Sequence, residues 1–414
     1  MTSKKSWARD TGWLFGANLS KTAGLLVILI VLARFTTAET VGRYALAMAI
    51  TAPIFVFAQL GLKGIYLTHK SAFRFSRYLE VQLFAVLSAS LLSVAVAMIT
   101  DVTLAITVGI VSLIKCVDAI SDLYSGPLQS HSKTNLIFNG FFFTAISSAV
   151  ISIAVLIATH SLELTLVALF LVSLLASLIL LWRPGNRILA AFEKTDNAGL
   201  SKSARPSRDI LRAGLPIGLG GALVALLASM PQYFLSVNFG ADAVAHFAIY
   251  FYVFAVADIF LGTVAQGWIP RARQARTDDN IAPRGFFHFL AKTAFLWTLL
   301  VTPVAIIGLI LSYYLIPVIF GPTFQLSIAI AIPIGVAILA LPYASFSNIG
   351  VIIQNMYSHT ITLSVIAVLA SFVACALLIP DYEISGAFWA LAISAVARSI
   401  STMFLLKREE LKAR

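Results

Sequence analysis

Six charged side chains interrupt stretches of this chain that are otherwise apolar: Lys21, Lys115, Asp118, Asp122, Asp258 and Arg398. Lys115, Asp118 and Asp122 stand at i, i+3 and i+7, so on a helix they share one face. Two readings fit that stripe. In one, Lys115 and Asp118 pair and Asp122 sits toward the inner end of the helix. In the other, all three line a wet cavity where a carboxylate can take up a proton. Asn18 and Lys21 share the i, i+3 spacing, and Lys21 and Arg398 are of the types that hold phosphate, a mobile ammonium and a planar fork. Asp258 has no base within its own segment, so its partner must come from another helix or it must be neutral. Three bases against three acids do not choose between an anionic and a cationic ligand.

The segments that carry these charges are long and apolar. Of the 414 residues, 59% are hydrophobic and only 11% charged, where a soluble domain has about 25% charged. Crossing the ~30 Å hydrocarbon core takes roughly 20 apolar residues in a helix that satisfies its own backbone. By that measure the chain is an all-α membrane protein with about twelve transmembrane helices, near 12–34, 41–62, 79–99, 103–125, 137–159, 163–182, 210–236, 241–266, 286–314, 325–346, 357–379 and 383–406. The first follows Lys4, Lys5 and Arg9 as a secretory signal would, but its apolar stretch is too long and lacks a small-residue cleavage site, so it is expected to be retained.

The formal net charge is +11, which in a soluble protein would suggest nucleic acid. The distribution points to the bilayer instead. Twenty-two of the 29 basic residues fall in alternate connectors and the termini, while the opposite connectors hold Glu39, Asp101, Glu163, Asp242, Asp381 and Glu383. The positive-inside rule then places both termini in the cytoplasm, with anionic lipid as a partner and no nucleic acid. Arg34 and Arg43, at the outer ends of spans one and two, are candidates for the outer mouth or for simple anchoring; Arg212 and Lys292 are near enough to the inner face to snorkel.

The polar connector 183–209 separates two six-helix lobes, 1–182 and 210–414. Shifted by 203 residues, Ala38-Glu39-Thr40-Val41-Gly42-Arg43-Tyr44-Ala45-Leu46 aligns with Ala241-Asp242-Ala243-Val244-Ala245-His246-Phe247-Ala248-Ile249. With an even number of spans per half, two copies would enter the membrane in the same sense, giving pseudo-symmetric lobes around a central cavity. Gly214, Pro216, Gly218, Gly220 and Gly221 crowd one end of span seven, and Pro53 interrupts span two. Both hinge and close packing fit such clusters.

Catalytic signatures are lacking: there is no GxSxG, HExxH, GxxxxGK[ST] or dinucleotide fingerprint. The six histidines are scattered over loops and span ends, and Cys116 and Cys375 both lie within spans, so neither a metal site nor a cofactor is expected, and no enzyme activity.

The string GRYALAMAIT after span one, AQLGLKGIYL at the end of span two and SGPLQSHSKTN after span four, with the 6+6 plan, resemble the polysaccharide (O-antigen and exopolysaccharide) flippases of the multidrug/oligosaccharidyl-lipid/polysaccharide superfamily. The resemblance implies a bacterial inner-membrane protein that moves an undecaprenyl-pyrophosphate-linked oligosaccharide to the periplasmic leaflet, working beside polysaccharide polymerase and chain-length machinery. It also implies a cationic cavity, for which Lys21, Lys115 and Arg398 are the candidates, with Asn18 beside Lys21 and with Asp118, Asp122 and Asp258 as candidates for ion coupling. The acids on span four depart from a purely cationic lining. A cation-coupled exporter of drugs or metabolites from the same superfamily is the alternative.

Overall fold

In the computed structural model, the described residues are 2–68, 73–193, 206–277, 285–354 and 356–412. Lys70, Lys194, Lys202, Arg205, Arg284 and Arg414 of the basic connectors and C-terminus, and 194–205 of the polar joint, lie outside them. The described residues are helical almost throughout. Among the described residues, ten helices are long and apolar enough to cross a membrane. Their outer surfaces carry large apolar side chains in the open, such as Leu91 at 75% and Phe84 at 72% exposure. Continuous apolar exposure of that kind requires lipid, not water, as the surrounding medium. The chain is a multi-pass membrane protein.

It divides into two compact units, Met1–Ala222 and Leu223–Arg414. The first unit contains α1 (Thr2–Phe35), α2 (Ala38–Gln59), α3 (Leu62–Thr68), α4 (Phe75–Met98), α5 (Val102–Ser130), α6 (Thr134–Thr159), α7 (Leu162–Ser177) and α8 (Arg183–Glu193), with a π turn at Leu178–Trp182, and the start of α9 (Pro206–Thr277). Three connectors here, before α2, α5 and α7, are tight, capped turns. Thr37, Asp101 and Ser161 each accept the backbone N–H three residues on, which satisfies a donor that a helix start leaves unpaired. The Thr103 hydroxyl donates to the Asp101 carboxylate and, with backbone N–H groups, holds it below the ordinary carboxylate range.

Helix α5 is the hub of this unit, touching α2, α3, α4, α6, α7 and α8. Its rotation is fixed in part by two bonds: Trp182 Nε1 donates to Ser121 Oγ (3.1 Å), and Tyr124 Oη donates to Asn186 Oδ1 (3.0 Å). Tyr124 lies across the helix from Lys115 and Asp122, and Ser121 stands one turn on from Asp118. An aromatic cluster of Tyr66, Phe75, Tyr78 and Tyr124, with edge-on rings, ties α3, α4 and α5 together at one end.

The glycine-rich start of α9 is continuous helix, packed on the end of α2. A Cβ on Gly218 would stand 2.6 Å from the Phe57 carbonyl oxygen, and one on Gly214 2.8 Å from Leu60 Cβ. Of the two expectations for this stretch, close packing is what the first unit displays.

The second unit holds the remainder of α9, α10 (Phe286–Phe320), α11 (Ile328–Ile353) and α12 (Tyr357–Lys412). A straight helix the length of α9, 72 residues, would run about 108 Å, several times the hydrocarbon thickness. Instead α9 bends at Gly240 (φ 78°, ψ −171°), and the 56-residue α12 bends at Glu383 (φ 50°, ψ −127°). The first of these conformations belongs to glycine. Both bends sit beside acidic or polar residues assigned to outer connectors. Ala241, the start of the repeated string, follows the Gly240 bend directly, as Ala38 opens α2. Burial repeats with it: Val41 and Val244 are both 0% exposed, and Tyr44 and Phe247 are both buried.

Replacing Gly218 with Ala is expected to cost about 1–3 kcal/mol by overpacking, because the obstacle is backbone. Gly220→Ala, with nothing within 4 Å of the new methyl, should stay within roughly 0.5 kcal/mol of the parent. Unfolding of the detergent-solubilised proteins compares the two.

Candidate functional site

The first unit encloses a half-open cavity of about 360 Å³. Its walls come from α1 (Lys21, Gly24), α2 (Tyr44, Met48, Gln59), α5 (Lys115, Asp118, Asp122), α6 (Phe141, Thr144, Ser148) and α7 (Leu169, Ser173). Close approach of α1 and α6 shapes one side: a Cβ on Gly24 would lie 3.1 Å from Ala145 Cβ. Lys21 reaches from α1 across this seam. Its Nζ lies 3.9 Å from the centre of the Phe141 ring, a cation–π contact, and 3.5 Å from Asp122 Oδ1.

The same Asp122 oxygen receives a second ammonium, Lys63 Nζ at 3.4 Å. Lys63 sits on α3, which follows a two-residue turn in the left-handed region, Leu60 (φ 50°) and Gly61 (φ 60°). A Cβ on Gly61 would stand 2.6 Å from Ile217 Cγ2, so both its conformation and its surroundings call for glycine. Lys115 interacts electrostatically with Asp118 and with Lys21. Lys21, Lys115, Asp118 and Asp122 thus line the hollow and Lys63 reaches Asp122 from outside the lining, with the Lys21, Lys63 and Asp122 side chains each about one-third open to the cavity or surface (28–34%).

The i, i+3, i+7 stripe is thus brought onto one cavity wall together with Lys21. Asp122 does not stand apart at a helix end; it is the carboxylate that links three helices. Lys63 is one of the 22 basic residues that the charge distribution places in connectors and termini, and that distribution gives no sign of its contact with Asp122 beside the cavity. The signal lay in AQLGLKGIYL, where Leu60-Gly61 interrupts the helix just before Lys63, whose ammonium meets Asp122 of α5. Asn18 is exposed, lies outside the cavity lining, and offers its backbone carbonyl to Thr22 Oγ1 (3.1 Å). Arg43 is paired with Glu163 on α7 (3.2 Å), clasping the outer ends of α2 and α7, and Arg34 is exposed at the last turn of α1. In the second unit, Asp258 on α9 has its answering charge on another helix: it interacts electrostatically with Arg398 on α12. Among the described residues no three of His, Cys, Asp or Glu stand together as a metal site would need.

Chemically, this hollow can hold an anion by several ammoniums at once, with Tyr44, Gln59, Thr144 and Ser148 available to a polar ligand. Its carboxylates can equally bind cations or protons, so the lining alone leaves the sign of the ligand open.

A profile of the family described as "Polysaccharide biosynthesis protein" matches residues 7–275. The capsular polysaccharide biosynthesis protein CapF of Staphylococcus aureus is 24% identical over 405 residues, covering 97% of this chain and 99% of that protein. Among solved structures, an inward-facing multidrug resistance MATE family transporter of the MOP superfamily superimposes with a TM-score of 0.65 at 14% identity, over 95% of each chain. An outward-facing MATE transporter gives 0.60 at 14% identity, over 99% of this chain and 96% of that one. A MOP superfamily transporter from Pyrococcus furiosus, described as having a binding pocket of reversed polarity, gives 0.62 at 14% identity, over 98% and 96%. The fold is that of this transporter superfamily.

If the hollow is hydrated, a thiol placed in it will react from water. With Cys116 and Cys375 replaced by Ala, Thr144→Cys is expected to react with a water-soluble maleimide at least about tenfold faster than Leu91→Cys on the lipid-facing surface. Equal rates in membrane vesicles would mean a dry cavity.

Proposed function

Because this chain belongs to the polysaccharide biosynthesis protein family, we infer that it carries a lipid-linked oligosaccharide, of the undecaprenyl-pyrophosphate class, from the cytoplasmic to the periplasmic leaflet of the bacterial inner membrane. The observation that carries this reading is the partly open cavity within a membrane-embedded unit, lined by Lys21 and Lys115, with Lys63 beside it on Asp122. A diphosphate joined to a sugar offers the negative charge those ammoniums can answer, and the hydroxyl and amide groups of the lining suit the sugar. Likeness to the capsular relative supports a cargo destined for the cell surface.

Taking each side of the bends at Gly240 and Glu383 as a separate span turns ten long helices into twelve. The arrangement would then be two pseudo-symmetric lobes joined near 183–209, both termini cytoplasmic, working by alternating access around the cavity. In this scheme Lys21 and Lys115 are the first unit's candidates for the diphosphate, and Arg398 is the second unit's candidate for an anion. Asp118, Asp122 and Asp258 are the groups able to couple movement to an ion, and Arg34 and Arg43 flank the outer mouth. Polysaccharide polymerase and chain-length machinery are the protein partners that such a cargo would meet next.

A second reading, cation-coupled export of drugs or metabolites, draws on the carboxylates of the same cavity and on the MATE fold. Uptake of cationic dyes by vesicles containing the purified protein discriminates the two, since the flippase reading expects none.

In a strain depending on this chain for its surface polysaccharide, Lys21→Ala and Arg398→Ala are each expected to lower that polysaccharide about tenfold or more at unchanged protein level, as loss of a charge-assisted contact worth ~1.4 kcal/mol would do. Normal polysaccharide from both variants would remove these residues from the site.

A further inference from the structure

Resting on the reading of the cargo as a diphosphate-bearing lipid, we propose that Asp122 is a built-in stand-in for that diphosphate. In the empty cavity it occupies Lys21 and Lys63; an entering diphosphate displaces it and takes both ammoniums; on departure Asp122 takes them back. Lys63 thereby becomes an anion contact that the charge pattern alone assigned to topology.

Three features of the geometry support exchange over a permanent bridge. First, one oxygen, Asp122 Oδ1, serves both lysines at 3.5 and 3.4 Å, longer than the ~2.7–2.9 Å of a strong charge-assisted bond. Second, all three side chains are about one-third exposed, the setting in which ion pairs contribute little and are readily replaced. Third, the valences favour the newcomer. Sharing one oxygen holds the two ammoniums no more than about 7 Å apart, where like charges repel, so the empty cavity needs an anion between them. A carboxylate supplies one negative charge; a diphosphate supplies two or more, with oxygens spread widely enough to meet Lys21, Lys63 and the nearby Lys115 together. Asp118 continues to face Lys115 during the exchange, so the cluster keeps part of its compensation throughout.

An incoming ligand that displaces a tethered counter-ion also meets a restoring force. Binding is weakened by competition from Asp122, and release is hastened by its return, which suits a carrier that must let go as well as capture.

The test uses the purified full-length chain in nanodiscs, titrated with inorganic pyrophosphate and, separately, with farnesyl pyrophosphate. Asp122→Asn is expected to bind inorganic pyrophosphate about tenfold more tightly than the parent and to release it more slowly. Lys63→Gln should bind about tenfold more weakly, and Lys63→Arg within about threefold of the parent. Asp122→Asn binding no more tightly than the parent, at an unchanged unliganded melting temperature, overturns the proposal. Should Asp122→Asn fail to fold, Lys63→Gln decides alone, and unchanged affinity overturns it. The cargo reading fails separately: equal affinity for the two probes leaves the exchange standing while removing the evidence for a lipid-borne diphosphate.

Discussion

One carboxylate answering two ammoniums inside an apolar unit is the constraint around which the first half of the chain is organised. A charge left alone in the bilayer interior costs ~2.5–3.5 kcal/mol on insertion scales, so Lys21 and Asp122 need a counter-charge, from each other or from a ligand, and the helices bearing them must be held where one can reach. That requires α5 to present one face to α1 and α3, a rotation that the bonds from Trp182 to Ser121 and from Tyr124 to Asn186 help to fix. It also requires α1 to approach α6 through Gly16 and Gly24, and α2 to break at Leu60-Gly61 ahead of the short helix that carries Lys63.

The surrounding lipid imposes the rest. Backbone groups find partners within helices, the outer turns are closed by Thr37, Asp101 and Ser161, and buried hydroxyls such as Ser93 and Ser152 donate to the carbonyl four residues back. Polar chemistry is left to the cavity and to the Asp258–Arg398 neighbourhood of the second unit. These two places have the same logic, opposite charges on different helices, in units whose sequences retain a shared string with matching burial at Val41/Val244 and Tyr44/Phe247.

Much of this was legible in the residues. Apolar length foretold helical spans, because hydrocarbon leaves a helix few alternatives. The spacing of Lys115, Asp118 and Asp122 foretold a common face, because helix periodicity is rigid over two turns. GRYALAMAIT and AQLGLKGIYL carried the family likeness, and the match to the polysaccharide biosynthesis family bears it out. What pairs with what was not legible. Asp122 is linked with residues 59 and 101 positions away, and no local pattern records that. Lys63 escaped because a lysine at a span end is ordinarily a topological marker, and only the left-handed turn before it redirects the side chain. Asn18 lies three residues from Lys21 yet outside the cavity, since sequence spacing places a residue on a face but does not say which face the neighbours cover. The glycine cluster of span seven was undecided between bending and packing because either use needs the same missing Cβ atoms.

The seam where α9 begins against the end of α2 leaves room for almost nothing: Gly214 and Gly218 abut Leu60 and Phe57, and Ile217 fills the space over Gly61. Two stretches more than 150 positions apart in the chain thus occupy a single, fully committed volume. Homologous proteins can drift along it only by reciprocal exchange, one side shrinking as the other grows. Recombination between distant relatives that separates the two stretches would join surfaces whose shapes were never fitted to each other.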